Sequence, residues 1–78
     1  MTSLGMRNMK ENQTGTIKSI QTYGEIGRRI RDMGLVPGTK IQIMGRAPLF
    51  DPVAVRALGF TLSLRNNEAD FIVVETEN

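Results

Sequence analysis

Gly24-Glu25-Ile26-Gly27-Arg28-Arg29-Ile30-Arg31-Asp32-Met33-Gly34-Leu35-Val36-Pro37-Gly38 reads as one short helix, a hard stop and a corner. Ile26, Ile30 and Met33 fall at i, i+4 and i+7, one face of a 3.6-residue period. Arg28, Arg29, Arg31 and Asp32 take the other faces. Gly34 stands where a left-handed C′ glycine ends a helix, and Leu35 follows as the apolar residue of a Schellman cap. Pro37-Gly38 then turns the chain, proline presetting φ and glycine tolerating a positive one. What lies downstream patterns as strand, so the stretch launches a β domain.

Composition narrows the chemistry. The 78 residues suffice for one domain with a small core. There is no cysteine and no histidine, which removes disulfides, thiolate zinc sites, imidazole metal ligation and Ser-His or Cys-His catalysis together. A net charge of +2 is mild for a binder of polyanions. No apolar run approaches the ~20 residues of a membrane span, and the N-terminus lacks the apolar core of a signal peptide. A cytoplasmic protein without membrane insertion is the expectation.

Working outward, residues 1–12 are polar, unpatterned and methionine-rich, and read as a flexible N-terminal tail, with Leu4 and Met6 available to an edge. Methionines at 1, 6 and 9 leave the start open. Residues 13–78 form the single domain. Thr14–Ile20 is a first strand whose isoleucines at 17 and 20 break alternation, which calls for a bulge or strand end near Ser19. Beyond the corner, residues 39–44 alternate with Ile41 and Ile43 inward, and Gly45 marks a second bulge. Residues 47–52, with prolines at 48 and 52, form a loop. Val53–Leu58 is a third strand, Gly59 a tight connection, and Phe60–Leu64 a fourth with Phe60, Leu62 and Leu64 on one face. Residues 66–70 are a polar connector with room for one helical turn capped by Asn66 or Asn67, and residues 71–75 a fifth strand. Mainly β, with about five antiparallel strands and one short helix after the first, the chain is expected to form a small SH3-like barrel; an OB-fold is the nearest competitor.

Four words stand in order along the chain: R-R-I-R-D-M-G-L-V-P-G-T from Arg28, R-A-P-L-F-D-P-V from Arg46, L-G-F-T-L-S-L-R-N-N-E-A from Leu58, and I-V-V-E from Ile72. Together they resemble the ferrous iron transport protein A (FeoA) family from about Thr14 to Glu75. Gly34, Leu35, Pro37 and Gly38 match its helix exit, Pro48, Leu49, Asp51 and Pro52 its loop, and Leu62, Leu64, Arg65 and Ala69 its closing strands. The resemblance implies an SH3-like cytosolic protein without enzymatic activity. Its partner would be a FeoB-like membrane transporter of ferrous iron, whose GTPase-containing cytosolic part it binds and supports or regulates. Phe50 departs from the family's usual small residue and makes the loop tip more apolar. The same module closes iron-dependent repressors, but no helix-turn-helix is present here.

Candidate sites follow. Pro48, Leu49, Phe50 and Asp51, with Arg46 beside them, make a proline-bracketed apolar loop suited to anchoring a partner, or else a lid over the barrel end. Gly34, Leu35, Pro37, Gly38 and Gly59 are structural. Arg28, Arg29, Arg31, Lys40 and Arg46 would form a basic face, read most simply as solvated, with Glu25 and Arg29 paired at i, i+4. The alternatives are a small nucleic-acid-binding barrel, for which Tyr23, Phe50, Phe60 and Phe71 are few stacking surfaces with at least two of them buried, and a GTPase-modulating factor presenting an arginine. A proline-rich ligand lacks its aromatic groove. Without histidine a ferrous site is not expected; Asp51, Glu68 and Asp70 would make an oxygen-only site only if their loops converged. No cofactor and no catalytic residue is expected, and self-association through a strand edge is left open.

Overall fold

The computed structural model describes residues 2–46 and 51–76, with Arg46 by its backbone alone. In chain order the elements are β1 (Thr2–Gly5), a single 3-10 turn (Met6–Asn8), β2 (Thr14–Ile20), α1 (Gly24–Asp32), β3 (Lys40–Arg46), β4 (Val53–Ala57), β5 (Phe60–Leu64), α2 (Asn66–Ala69) and β6 (Ile72–Thr76). All strand pairs are antiparallel, in one sheet of order β1-β6-β2-β3-β4-β5. The sheet curls around a core drawn from nearly every element, as in SH3-like domains. Met6, Ile17, Ile30, Leu35, Ile43, Leu64 and Ile72 are its largest fully buried side chains.

The helix and its exit form as their residues dictate. Ile30 is fully buried, Ile26 and Met33 pack half-buried against the core, and the arginines face solvent. At the stop, the Gly34 amide donates to the Arg31 carbonyl (2.9 Å) and the Leu35 amide to the Ile30 carbonyl (3.3 Å). Those are the two bonds of a Schellman cap, with Gly34 at φ +91° and Leu35 buried beneath it. Next, the Thr39 amide donates to the Val36 carbonyl (3.0 Å) across Pro37-Gly38, with Gly38 at φ +95°, the signature of a type II turn.

Both anticipated bulges are present. The β2–β6 register shifts between Ile17 and Ser19, which keeps Ile17 and Ile20 on the core side, and the β3–β4 register shifts between Ile43 and Gly45. Gly15 is where β2 and β6 close most tightly. A Cβ there would collide with the Val74 side chain and stand 2.8 Å from the Glu75 carbonyl oxygen, so the curl depends on a missing side chain.

Three expectations need correction. The sheet has six strands rather than about five, because residues 2–12 are not a tail. Thr2–Gly5 pairs along β6, with Thr2 opposite Thr76, and Met6 and Met9 are core residues. Their apolar side chains are too large a share of a small core to stay in water. The turn at 66–69 is capped by Arg65, not by an asparagine; its amide donates to Glu68 Oε1 at 3.0 Å. Phe60 shares a strand face with Leu62 and Leu64, yet burial along that face falls from Leu64 (fully buried) through Leu62 to Phe60, which is 71% exposed. The core ends before the hairpin does.

Candidate functional site

The β4–β5 hairpin turns on two residues, Leu58 and Gly59, with Ala57 paired to Phe60 across them. Both take positive φ, +56° and +81°, as a two-residue type I′ turn requires. Glycine suits that geometry and leucine does not, since a left-handed conformation sets Cβ against the following carbonyl. Asparagine would be the ordinary choice. Leu58 is nonetheless there, 62% exposed, its Cδ1 lying over Gly34 at the helix exit. Phe60 stands beside it and Val36 is also exposed.

This apolar tip borders an open groove with a volume of about 620 Å³. The groove runs over the outer face of β2, β3 and β4 and is lined by residues 14–16, 40–42 and 56–59 and by Glu75. Strand register explains the grouping. Thr14, Gln42 and Arg56 lie in one cross-strand row, and Glu75, Thr16 and Lys40 in the next row on the same face. Ile41 and Ala57, between them, point to the opposite, buried side. Lys40 and Arg56 are thereby diagonal neighbours, roughly 7–8 Å apart by sheet geometry. Both are exposed, and neither is in an ion pair with another described residue.

The ion pairs among the described residues lie elsewhere and tie the fold together. Arg7 Nη1 meets Asp70 at 3.0 Å and joins the N-terminal turn to the connector before β6. Arg29 Nε meets Glu68 Oε2 at 3.2 Å and binds α1 to α2. The expected Glu25–Arg29 pair is thus replaced by a longer-range one. Glu68 is only 5% exposed, and its second oxygen accepts from the Arg65 amide. Arg31 donates to the Thr22 carbonyl. With Arg29 and Arg31 occupied inside the domain, the helix does not present a row of free cations. The expectation that at least two aromatics are buried does not hold among the described residues: Tyr23 and Phe60 are exposed and Phe71 is half-buried.

Of the residues singled out from the sequence, Pro48, Leu49 and Phe50 lie outside the described residues, as does the side chain of Arg46. Asp51 is exposed and accepts the Asn66 amide at 3.0 Å, bracing the start of α2. Asp51, Glu68 and Asp70 do not converge: no group of three acidic, histidine or cysteine side chains suited to a metal ion occurs among the described residues. No helix among them is long and apolar enough to cross a membrane. Sequence reasoning placed Phe60 inside and passed over Leu58. The third strand was expected to run through Leu58 with Gly59 alone as the connection; the strand ends at Ala57, and a two-residue turn takes Leu58 out of it.

Comparison with known proteins bears on what such a surface serves. The family model for the FeoA domain matches residues 4–76. A curated relative, the Fe(2+) transport protein A/Fe(2+) transporter FeoB fusion protein of Porphyromonas gingivalis, is 37% identical over 70 residues; the match takes in 86% of this chain but only 8% of that protein's length. The solved FeoA-like protein of Clostridium acetobutylicum is 39% identical, with a TM-score of 0.91 over 100% of this chain and 92% of its own. FeoA of Stenotrophomonas maltophilia, described as an SH3 domain protein, is 23% identical, with a TM-score of 0.79 over 96% of this chain and 91% of its own, and shares the fold.

Proposed function

The chain belongs to the FeoA domain family of ferrous iron transport, and on that premise we propose that it is a cytoplasmic, non-enzymatic accessory protein. Its partner in this reading is the cytosolic, GTPase-containing part of a FeoB-like membrane transporter, which it binds and thereby supports or regulates. The observation that carries the reading is the fusion relative, in which a domain similar to this one and a FeoB transporter form one polypeptide. Covalent linkage keeps at high local concentration two parts that otherwise meet by diffusion. The exposed apolar tip at Leu58 and Phe60, on a domain with few side chains to spare from its core, agrees with a docking role.

The test is co-purification of the tagged chain with the cytosolic region of a FeoB-like transporter, followed by calorimetry of the purified pair. A saturable one-to-one complex is expected. Absence of binding both in cells and between purified components overturns the reading. GTP turnover measured with and without the chain separates simple docking from regulation of the G domain.

A further inference from the structure

We infer that the outer-face groove takes an acidic, apolar segment of the partner, with a carboxylate between Lys40 and Arg56 and an apolar side chain against Leu58 and Phe60. The inference rests on the reading that the partner is a protein, and assigns the surface and chemistry of the contact.

Three independent features carry it. First, two cations stand as diagonal neighbours on one sheet face with no anion between them among the described residues. Like charges so placed disfavour each other, and a bound carboxylate would offset that while gaining two charge-assisted hydrogen bonds. Second, Leu58 occupies a left-handed turn position that suits asparagine or glycine, and it is largely exposed. Strain held at the surface by a large apolar side chain points to a contact made outside the chain. Third, Glu75 closes the far wall of the groove. A nucleic-acid strand would bring a run of phosphates past that carboxylate, whereas a peptide with separated acidic residues can keep its negative charge at the Lys40–Arg56 end. The charge layout therefore favours a polypeptide of mixed character over a polyanion.

The test is a nitrogen-15 NMR titration of the whole chain with three probes in parallel. They are the purified cytosolic region of a FeoB-like transporter, an alternating Leu-Glu peptide with an alternating Leu-Lys control, and a thymidine oligonucleotide. Amide shifts at Gly15, Thr16, Gln42, Arg56, Leu58 and Phe60 are expected with the transporter region and the Leu-Glu peptide, and not with the control. Lys40→Glu/Arg56→Glu should lower affinity for both at least tenfold, and Leu58→Asn at least threefold, each with unchanged dispersion of the remaining spectrum. If the transporter region binds but its shifts map away from the groove, the inference fails and the docking reading stands. If the transporter region does not bind, the docking reading fails. If the oligonucleotide binds the groove more tightly than the Leu-Glu peptide, or the charge-reversed variant binds as well as the wild type, the inference fails.

Discussion

Leu58 lies across Gly34, so close that a Cβ added to Gly34 would stand 2.6 Å from Leu58 Cδ1. The stop of helix α1 and the turn of the β4–β5 hairpin are thus one packed unit, with a left-handed residue on each side of the contact. Gly34→Ala should cost roughly 1–3 kcal/mol, part from the backbone conformation and part from the displaced leucine. In a Leu58→Ala background the second part should vanish. A double-mutant cycle by urea unfolding measures the coupling, and strict additivity would show that Leu58 yields freely.

Leu58→Asn sets stability against recognition. An Asn-Gly turn fits the hairpin better than Leu-Gly, so the variant should gain roughly 0.5–1 kcal/mol in thermal or urea unfolding. The same variant should bind the transporter's cytosolic region more weakly. A protein that is both more stable and undiminished in binding would remove Leu58 from the contact.

Glu68 supports two elements at once. Replacing it with alanine leaves the Arg65 amide and the Arg29 guanidinium without their shared acceptor, and should cost roughly 1–3 kcal/mol. Arg29→Ala should cost less, at most about 1 kcal/mol, because Arg29 is largely solvated. Chemical denaturation of the two variants and their double mutant checks the order. Equal losses would mean that the ion pair, not the cap, dominates.

The N-terminal segment is part of the folded domain, and Met6 tests this directly. Met6→Ala should destabilise by roughly 2–5 kcal/mol, the range for truncating a fully buried methionine. Deletion of residues 1–12 should go further by baring the margin of β6, and should leave the protein prone to self-association. Light scattering and melting temperature read both effects. A truncated chain that melts like the full one would return these residues to the status of a tail.

How far the molecule was legible depended on how local each signal was. The α1 exit was readable because Gly34, Leu35, Pro37 and Gly38 act within one turn of one another. Both bulges were readable from local signals, the first from isoleucines that interrupt a period of two and the second from Gly45 at the end of an alternating run. Strand β1 was not: Thr2–Gly5 has no alternating pattern, and its partner β6 lies at the other end of the chain. Its identity as a strand comes from that long-range pairing and from the burial of Met6, neither of which leaves a local trace. Phe60 misled for a related reason. Alternation names the face correctly but says nothing about where along that face the core stops. The groove was least visible, because Lys40 and Arg56 become neighbours only through the β3–β4 register. The apolar loop at 48–50, the most conspicuous word for a partner in the sequence, lies outside the described residues.

Glu75, a wall of the groove, pairs with Thr16 of β2 and stands one residue before Thr76, the last residue of β6. A segment joined after β6 therefore sets out beside the groove instead of having to travel around the domain. In a fused polypeptide such a tether supplies a local concentration of order millimolar, and a weak groove is then enough to hold its segment. A free-standing copy has no tether and must obtain its occupancy from affinity or abundance. The same surface would then be tuned differently in the two arrangements, with stronger contacts at Lys40, Arg56 and Leu58 wherever the two proteins are made apart.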